Sequence, residues 1–160
     1  MAVLQVGMAD LKVAKVPDIL SSAGLGSCIG ICLWDPITRI GGLAHIMLPS
    51  SALARNTDNK AKFADTAIPA LVQEMERIGA MKSRLVAKIA GGAQMFALTE
   101  ASSIMKIGER NAESSLETLR KMGIKLLHAE TGANYGRSIT FKTETGQLHI
   151  RTIEYGERIV

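Results

Sequence analysis

Two apolar runs, residues 28–34 and 39–47, flank the tetrad Asp35-Pro36-Ile37-Thr38, and each run is apolar at both odd and even positions. Asp at the first and Pro at the second position are type I turn chemistry, so the segment predicts a hairpin. One face would carry Cys28, Gly30, Cys32, Trp34, Gly41, Leu43 and His45; the other Ile29, Ile31, Leu33, Ile40, Ala44 and Ile46. A strand pair that is apolar on both faces must be covered on both, which places this hairpin at the centre of a layered fold. Two-residue loops favour Gly or Asn, so a four-residue loop on 35–38 is expected. Its symmetry pairs 35 with 38 and, stepping outward, Cys28 with His45. Directly opposed side chains have Cβ atoms roughly 4.5–5.5 Å apart, the approach a thiol and an imidazole need to share a proton. A one-residue slip would send them to opposite faces.

The remaining chain supplies the cover. Residues 3–7 and 10–15 read as short strands. The polar stretch 49–62 reads as an exposed loop. Phe63, Ala67, Leu71, Met75 and Ile78 recur at helical spacing before Gly79. Pro69 means that this helix starts near Thr66 or is kinked. Residues 84–90 read as a buried strand, and 109–122 as a second helix with an Ala112, Leu116, Leu119, Met122 stripe ended by Gly123. Residues 124–129, 137–143 and 147–154 read as strands, with Gly146 at the last turn. The expectation is one α+β domain over residues 1–160, its amphipathic helices packed on a mixed or antiparallel β-sandwich.

Composition narrows the function. An apolar fraction of 47% and a charged fraction of 21% fit a globular chain, and no run approaches the ~20 apolar residues of a membrane span. No basic stretch precedes an apolar core at the N-terminus, so direct membrane insertion is not expected and the expected compartment is the cytoplasm. The formal charge of +4 is scattered, with few aromatics between the basic residues; this disfavours a nucleic-acid partner and suits a mildly acidic protein. Cys28 and Cys32 on one strand would stand about 13 Å apart, too far for a disulfide, and the spacing is not Cys-x-x-Cys. Three histidines with no acidic residue at ligand spacing argue against a metal.

A cysteine nucleophile needs a base that also serves as acid, and donors for an oxyanion. Cys28 with His45 meets the first need, unless the hairpin is simply packed around a satisfied histidine. The backbone N–H groups of Cys28 and of a neighbour in the Gly24–Cys28 entry, Gly26 or Ser27, would meet the second. Ser22 and Ser27 are the nearest hydroxyls that can orient the imidazole. Gly91-Gly92 after a strand reads as a tight turn, with a phosphate or oxyanion role as the alternative. Gly108-Glu-Arg-Asn111 opens a helix, and Thr131–Ser138 is a polar turn segment.

These same residues carry a resemblance. Gly24-Leu-Gly-Ser-Cys28, Gly42-Leu-Ala-His-Ile-Met-Leu-Pro49, Lys62-Phe-Ala-Asp-Thr-Ala67, Lys88–Phe96, Ile107-Gly-Glu-Arg-Asn111, Thr131-Gly-Ala-Asn134 and Gly136-Arg-Ser138 together resemble CheD, the chemoreceptor glutamine deamidase family of bacterial and archaeal chemotaxis. The resemblance implies an α/β sandwich like that of deamidating toxins. It implies hydrolysis of selected glutamine side chains on the cytoplasmic helices of methyl-accepting chemoreceptors, giving glutamate and ammonia without metal or organic cofactor. It places the nucleophile at Cys28 and the acid/base at His45. The family's usual threonine, six residues before the cysteine, is Ser22 here; the hydroxyl is kept and the rotamer-restricting methyl is lost. The resemblance also implies a regulatory partner, the phosphatase CheC. The rival expectations are a binding module that mainly docks CheC, and a thiol amidohydrolase or peptidase of small substrates.

Overall fold

The computed structural model describes residues 1–95 and 106–160; Phe96, the end of one of the family-like stretches, lies outside them. In chain order the strands are β1 Val3–Gln5, β2 Asp10–Lys15, β3 Ile19–Leu25, β4 Ile29–Asp35 and β5 Ile40–Ile46. Helix α1, Ala64–Arg77, precedes β6, Val86–Gly91. Helix α2, Ile107–Lys121, precedes β7 Lys125–Thr131, β8 Arg137–Lys142, β9 Leu148–Thr152 and β10 Gly156–Ile159. The strands form two mixed five-stranded sheets. The central sheet has the order β2-β5-β4-β6-β7 and the outer sheet the order β1-β3-β8-β9-β10. The α+β sandwich expected from the sequence is the fold observed.

The two parities of the hairpin go to two different cores. Ile29, Ile31, Leu33, Ile40, Ala44 and Ile46 pack with Leu71, Met75 and Leu119 under the helices. Cys28, Cys32 and Leu43 pack with Leu20, Leu25, Ile139, Phe141 and Ile150 between the sheets. Helices, central sheet and outer sheet thus form three layers, with β4 and β5 buried on both sides.

Several elements depart from expectation. Helix α1 begins at Ala64, so Pro69 lies within it rather than in its first turn. Pro69 is exposed, on the face where water can satisfy the Asp65 carbonyl that its ring deprives of a donor. Strand β3 was not anticipated: Ser21, Ser22, Ala23 and Gly24 have weak strand propensity. It is held by pairing on both sides, parallel to β1 and antiparallel to β8, with an irregularity between Ser22 and Leu25. Strand β10 is a second addition, an exposed edge that pairs with β9 alone.

Candidate active site

The hairpin loop is displaced by one residue from its expected position. Asp35 stays in the ladder and pairs with Ile40, so the four loop residues are 36–39. The cause is local. The buried Asp35 carboxylate accepts from the Ile37 N–H at 3.0 Å, the Asp35 carbonyl accepts from the Arg39 N–H at 2.7 Å, and Arg39 takes φ 55°. Stepping outward, Gly30 rather than Cys28 faces His45. The direct Cys28–His45 opposition expected from a 35–38 loop is therefore incorrect. The displacement moves the pairing by two positions, which preserves the face. Cys28 and His45 are diagonal neighbours, a relation with Cβ atoms about 7 Å apart. Gly30, between them, has to be small: a Cβ there would lie 2.5 Å from Ile139 Cδ1 of the outer sheet.

His45 is 1% exposed, and its orientation is set from the other sheet. Ser22 Oγ on β3 lies 2.8 Å from His45 Nδ1 and 2.6 Å from the Val6 carbonyl oxygen. A carbonyl can only accept, so the serine's single proton goes to Val6 and Oγ accepts from Nδ1–H. In the neutral ring this leaves Nε2 unprotonated. Nε2 is buried with no hydrogen-bond partner among the described residues, a base whose lone pair none of them takes. Burial lowers the His45 pKa below its ordinary 6.5, so the ring is neutral at pH 7. Burial also raises the Cys28 thiol above 9.0, partly offset by its own backbone N–H. The resting pair is thus thiol and imidazole, not thiolate and imidazolium.

The two cysteines separate clearly. Cys32 is 1% exposed and burial pushes its thiol far up, whereas Cys28 is 8% exposed at the end of the ladder. Cys32 behaves as a small apolar residue.

Among the expected oxyanion donors, the N–H of Gly26 donates to the Gly24 carbonyl at 3.0 Å and that of Gly92 to the Cys28 carbonyl at 2.9 Å. Gly91 (φ 119°) lies so close behind Cys28 that an added Cβ would overlap the Cys28 carbonyl oxygen. These three glycines therefore shape and back the loop. Among the described residues, the N–H groups of Ser27 and Cys28 donate to no other residue, so they are the available donors. His128 and His149 stand on β7 and β9, and His149 Nδ1 is 2.8 Å from Glu157. Beside the Gly24–Cys28 entry, a cleft of about 550 Å³ is lined by Gly24, Met95, Asn134, Tyr135, Arg137 and Ile153, with Met95 against Gly26.

One buried polar residue stands in the Ile107-Gly-Glu-Arg-Asn111 stretch with no role assigned to it from the sequence. Asn111 on α2 is 0% exposed. It sits one position before the apolar stripe residue Ala112, which was the available signal.

The family model described as CheD chemotactic sensory transduction matches residues 47–152. That span holds Asn111 but stops short of Ser22, Cys28 and His45, which the full-length relatives cover. A Syntrophomonas wolfei protein named probable chemoreceptor glutamine deamidase CheD is 58% identical over 158 residues, 99% of this chain and 98% of that one. A protein of the same name from Desulfitobacterium hafniense is 54% identical over 158 residues, with the same coverage. Among solved structures, the Bacillus licheniformis hypothetical protein YfiH aligns at 15% identity and TM-score 0.49, over 78% of this chain and 51% of that one. On the family match and the near-full-length identity, the chain belongs to the CheD family.

Proposed function

We propose that the chain is a protein-glutamine deamidase that converts chemoreceptor glutamines to glutamate in chemotaxis, with Cys28 as nucleophile, His45 as acid and base, and Ser22 orienting the imidazole. The observation that carries this reading is the Val6–Ser22–His45 chain of hydrogen bonds. It leaves an Nε2 that has no partner among the described residues on the face shared with the less buried cysteine. The relatives' printed names supply the substrate class.

The reaction requires a Cys28 χ1 rotamer that sets Sγ within reach of Nε2. Nε2 takes the thiol proton as Sγ attacks the glutamine carboxamide carbon, and the oxyanion is met by the N–H groups of Cys28 and Ser27. The imidazolium, its Nδ1–H held by Ser22, gives that proton to the departing ammonia, leaving a γ-glutamyl thioester. His45 then deprotonates water, which attacks the thioester carbon. Glutamate leaves and the thiol is restored.

A receptor helix would enter along the cleft beside Gly24. The exposed Met95 and Ile153 offer apolar contact there, and Arg151 on the cleft wall offers positive charge to an acidic helix. CheC, as regulatory partner, would compete for the same face. The test is to incubate the protein with a glutamine-containing receptor cytoplasmic fragment and read peptide masses. Glutamine-to-glutamate conversion by wild type and none by Cys28→Ala is expected. Conversion by both, or by neither although the fragment binds, would overturn the reading.

A further inference from the structure

We infer that Asn111 is a positioning residue for the Cys28 oxyanion donor: its carboxamide fixes the Ser27–Cys28 peptide plane. The inference deepens the deamidase reading and rests on it for the identity of the substrate.

Backbone pairing of β4 with β5 ends at Ile29 and Ile46. One step beyond, Asn111 Nδ2 donates to the Ser27 carbonyl at 2.9 Å and to the Met47 carbonyl at 3.0 Å. Two carbonyl oxygens cannot bond each other, and a primary amide has two N–H groups to give them. The side chain therefore acts as an added rung at the mouth of the hairpin. Its orientation is fixed by the same chemistry, since a flipped amide would set Oδ1 against both acceptors.

The consequence for Cys28 follows from peptide geometry. The Ser27–Cys28 peptide is trans, so the Ser27 C=O and the Cys28 N–H lie in one plane and point in opposite directions. Anchoring the carbonyl on α2 aims the N–H away from the helix layer. That N–H donates to no other described residue. The following peptide is held as well, because the Cys28 carbonyl accepts from the Gly92 N–H at 2.9 Å. With both flanking planes fixed, the direction of the Cys28 Cα–Cβ bond is fixed too, and χ1 alone remains to aim the sulfur. A preorganised donor is worth far more to an oxyanion than one that must be turned into place.

Two small electrophiles at the same thiol test this. Acylation by p-nitrophenyl acetate passes through a tetrahedral oxyanion; alkylation by iodoacetamide does not. With rates corrected against Cys28→Ala, Asn111→Ala is expected to slow acylation about a hundredfold and to change alkylation by less than about threefold. Asn111→Ser, whose single short hydroxyl cannot bridge both carbonyls, serves if the alanine variant does not fold. Equal loss of both rates would mean a merely structural role, and unchanged acylation would mean none; either overturns the inference. Wild type gives an independent reading: an acylation-to-alkylation ratio equal to that of free cysteine also overturns it. If the receptor fragment is not deamidated but the contrast between electrophiles holds, the substrate reading fails and the Asn111 assignment stands.

Discussion

Replacing Ser22 by alanine removes one oxygen and strands two groups. Ser22 is 0% exposed, and its Oγ serves both the Val6 carbonyl and His45 Nδ1. Val6 is 2% exposed and His45 1%, so water does not take the vacated place without opening the sandwich. Each stranded buried group costs about 1–3 kcal/mol, and the pair roughly 2–6 kcal/mol. For a chain of 160 residues, at about 3 °C per kcal/mol, that corresponds to a fall in Tm of roughly 6–18 °C. The chemical effect is separate. Without an acceptor at Nδ1 the imidazole no longer favours the tautomer with a free Nε2, and the imidazolium loses its partner. A kcat reduced to about a tenth to a hundredth is expected, with KM little changed. Thermal unfolding followed by circular dichroism reads the first effect, and steady-state release of ammonia from a receptor fragment reads the second. Ser22→Thr is the matched control: it keeps the hydroxyl and should hold kcat within about threefold of wild type. A Ser22→Ala protein with wild-type Tm and kcat would refute the argument, because it would show that the hydrogen-bond chain through Ser22 neither holds the fold nor sets the tautomer.

Two further predictions concern pH and the hairpin loop. His45 has its pKa lowered by burial, so kcat/KM should stay on a plateau at neutral pH and fall only below pH 6.5, with no alkaline limb from Cys28 until above pH 9.0; a pH–rate profile checks both. The same shift means that the unfolded chain binds more protons below pH 6.5, so His45 contributes stability at neutral pH that is lost as pH falls. Asp35 is 0% exposed. Burial alone would raise its pKa, but the Arg84 guanidinium at 2.8 Å and the N–H groups of Met81, Ile37 and Thr38 hold it well below the usual carboxylate range. Its contribution is present above the ordinary 3.8 and is lost as pH falls below that value. Asp35→Ala should lower stability at pH 7 by about 3 kcal/mol in urea unfolding, and the gap to wild type should narrow in acid.

The two-faced hairpin was legible because strand periodicity is rigid. A side chain at an odd position cannot share a face with its even neighbour, so Ile29, Ile31 and Leu33 went to one core and Cys28 and Cys32 to the other. The loop was less legible, since Asp35-Pro36 marks a turn without saying whether the aspartate stays in the ladder. It stays because its carboxylate is buried against Arg84 and the loop N–H groups. Parity survived that error, and so did the grouping of Cys28 with His45. From the residues Ser22 and Ser27 were equal candidates as the nearest hydroxyls, and only the family resemblance preferred Ser22: β3 has the composition of a loop and is made a strand by β1 and β8. Asn111 could be placed beside the Ala112 stripe, but its role was not legible, because its partners are backbone carbonyls 84 and 64 residues away, and carbonyls leave no signature in side-chain pattern.

The central claim is a covalent bond at Cys28, and trapping it is the most direct test. Wild type mixed with the receptor fragment, quenched in acid within one turnover and digested, should yield a Cys28-containing peptide bearing the fragment's glutamine peptide less ammonia. Hydroxylamine should release that adduct as the γ-hydroxamate. Deamidation that proceeds without the adduct, or an adduct carried by Cys32 in place of Cys28, would contradict the account.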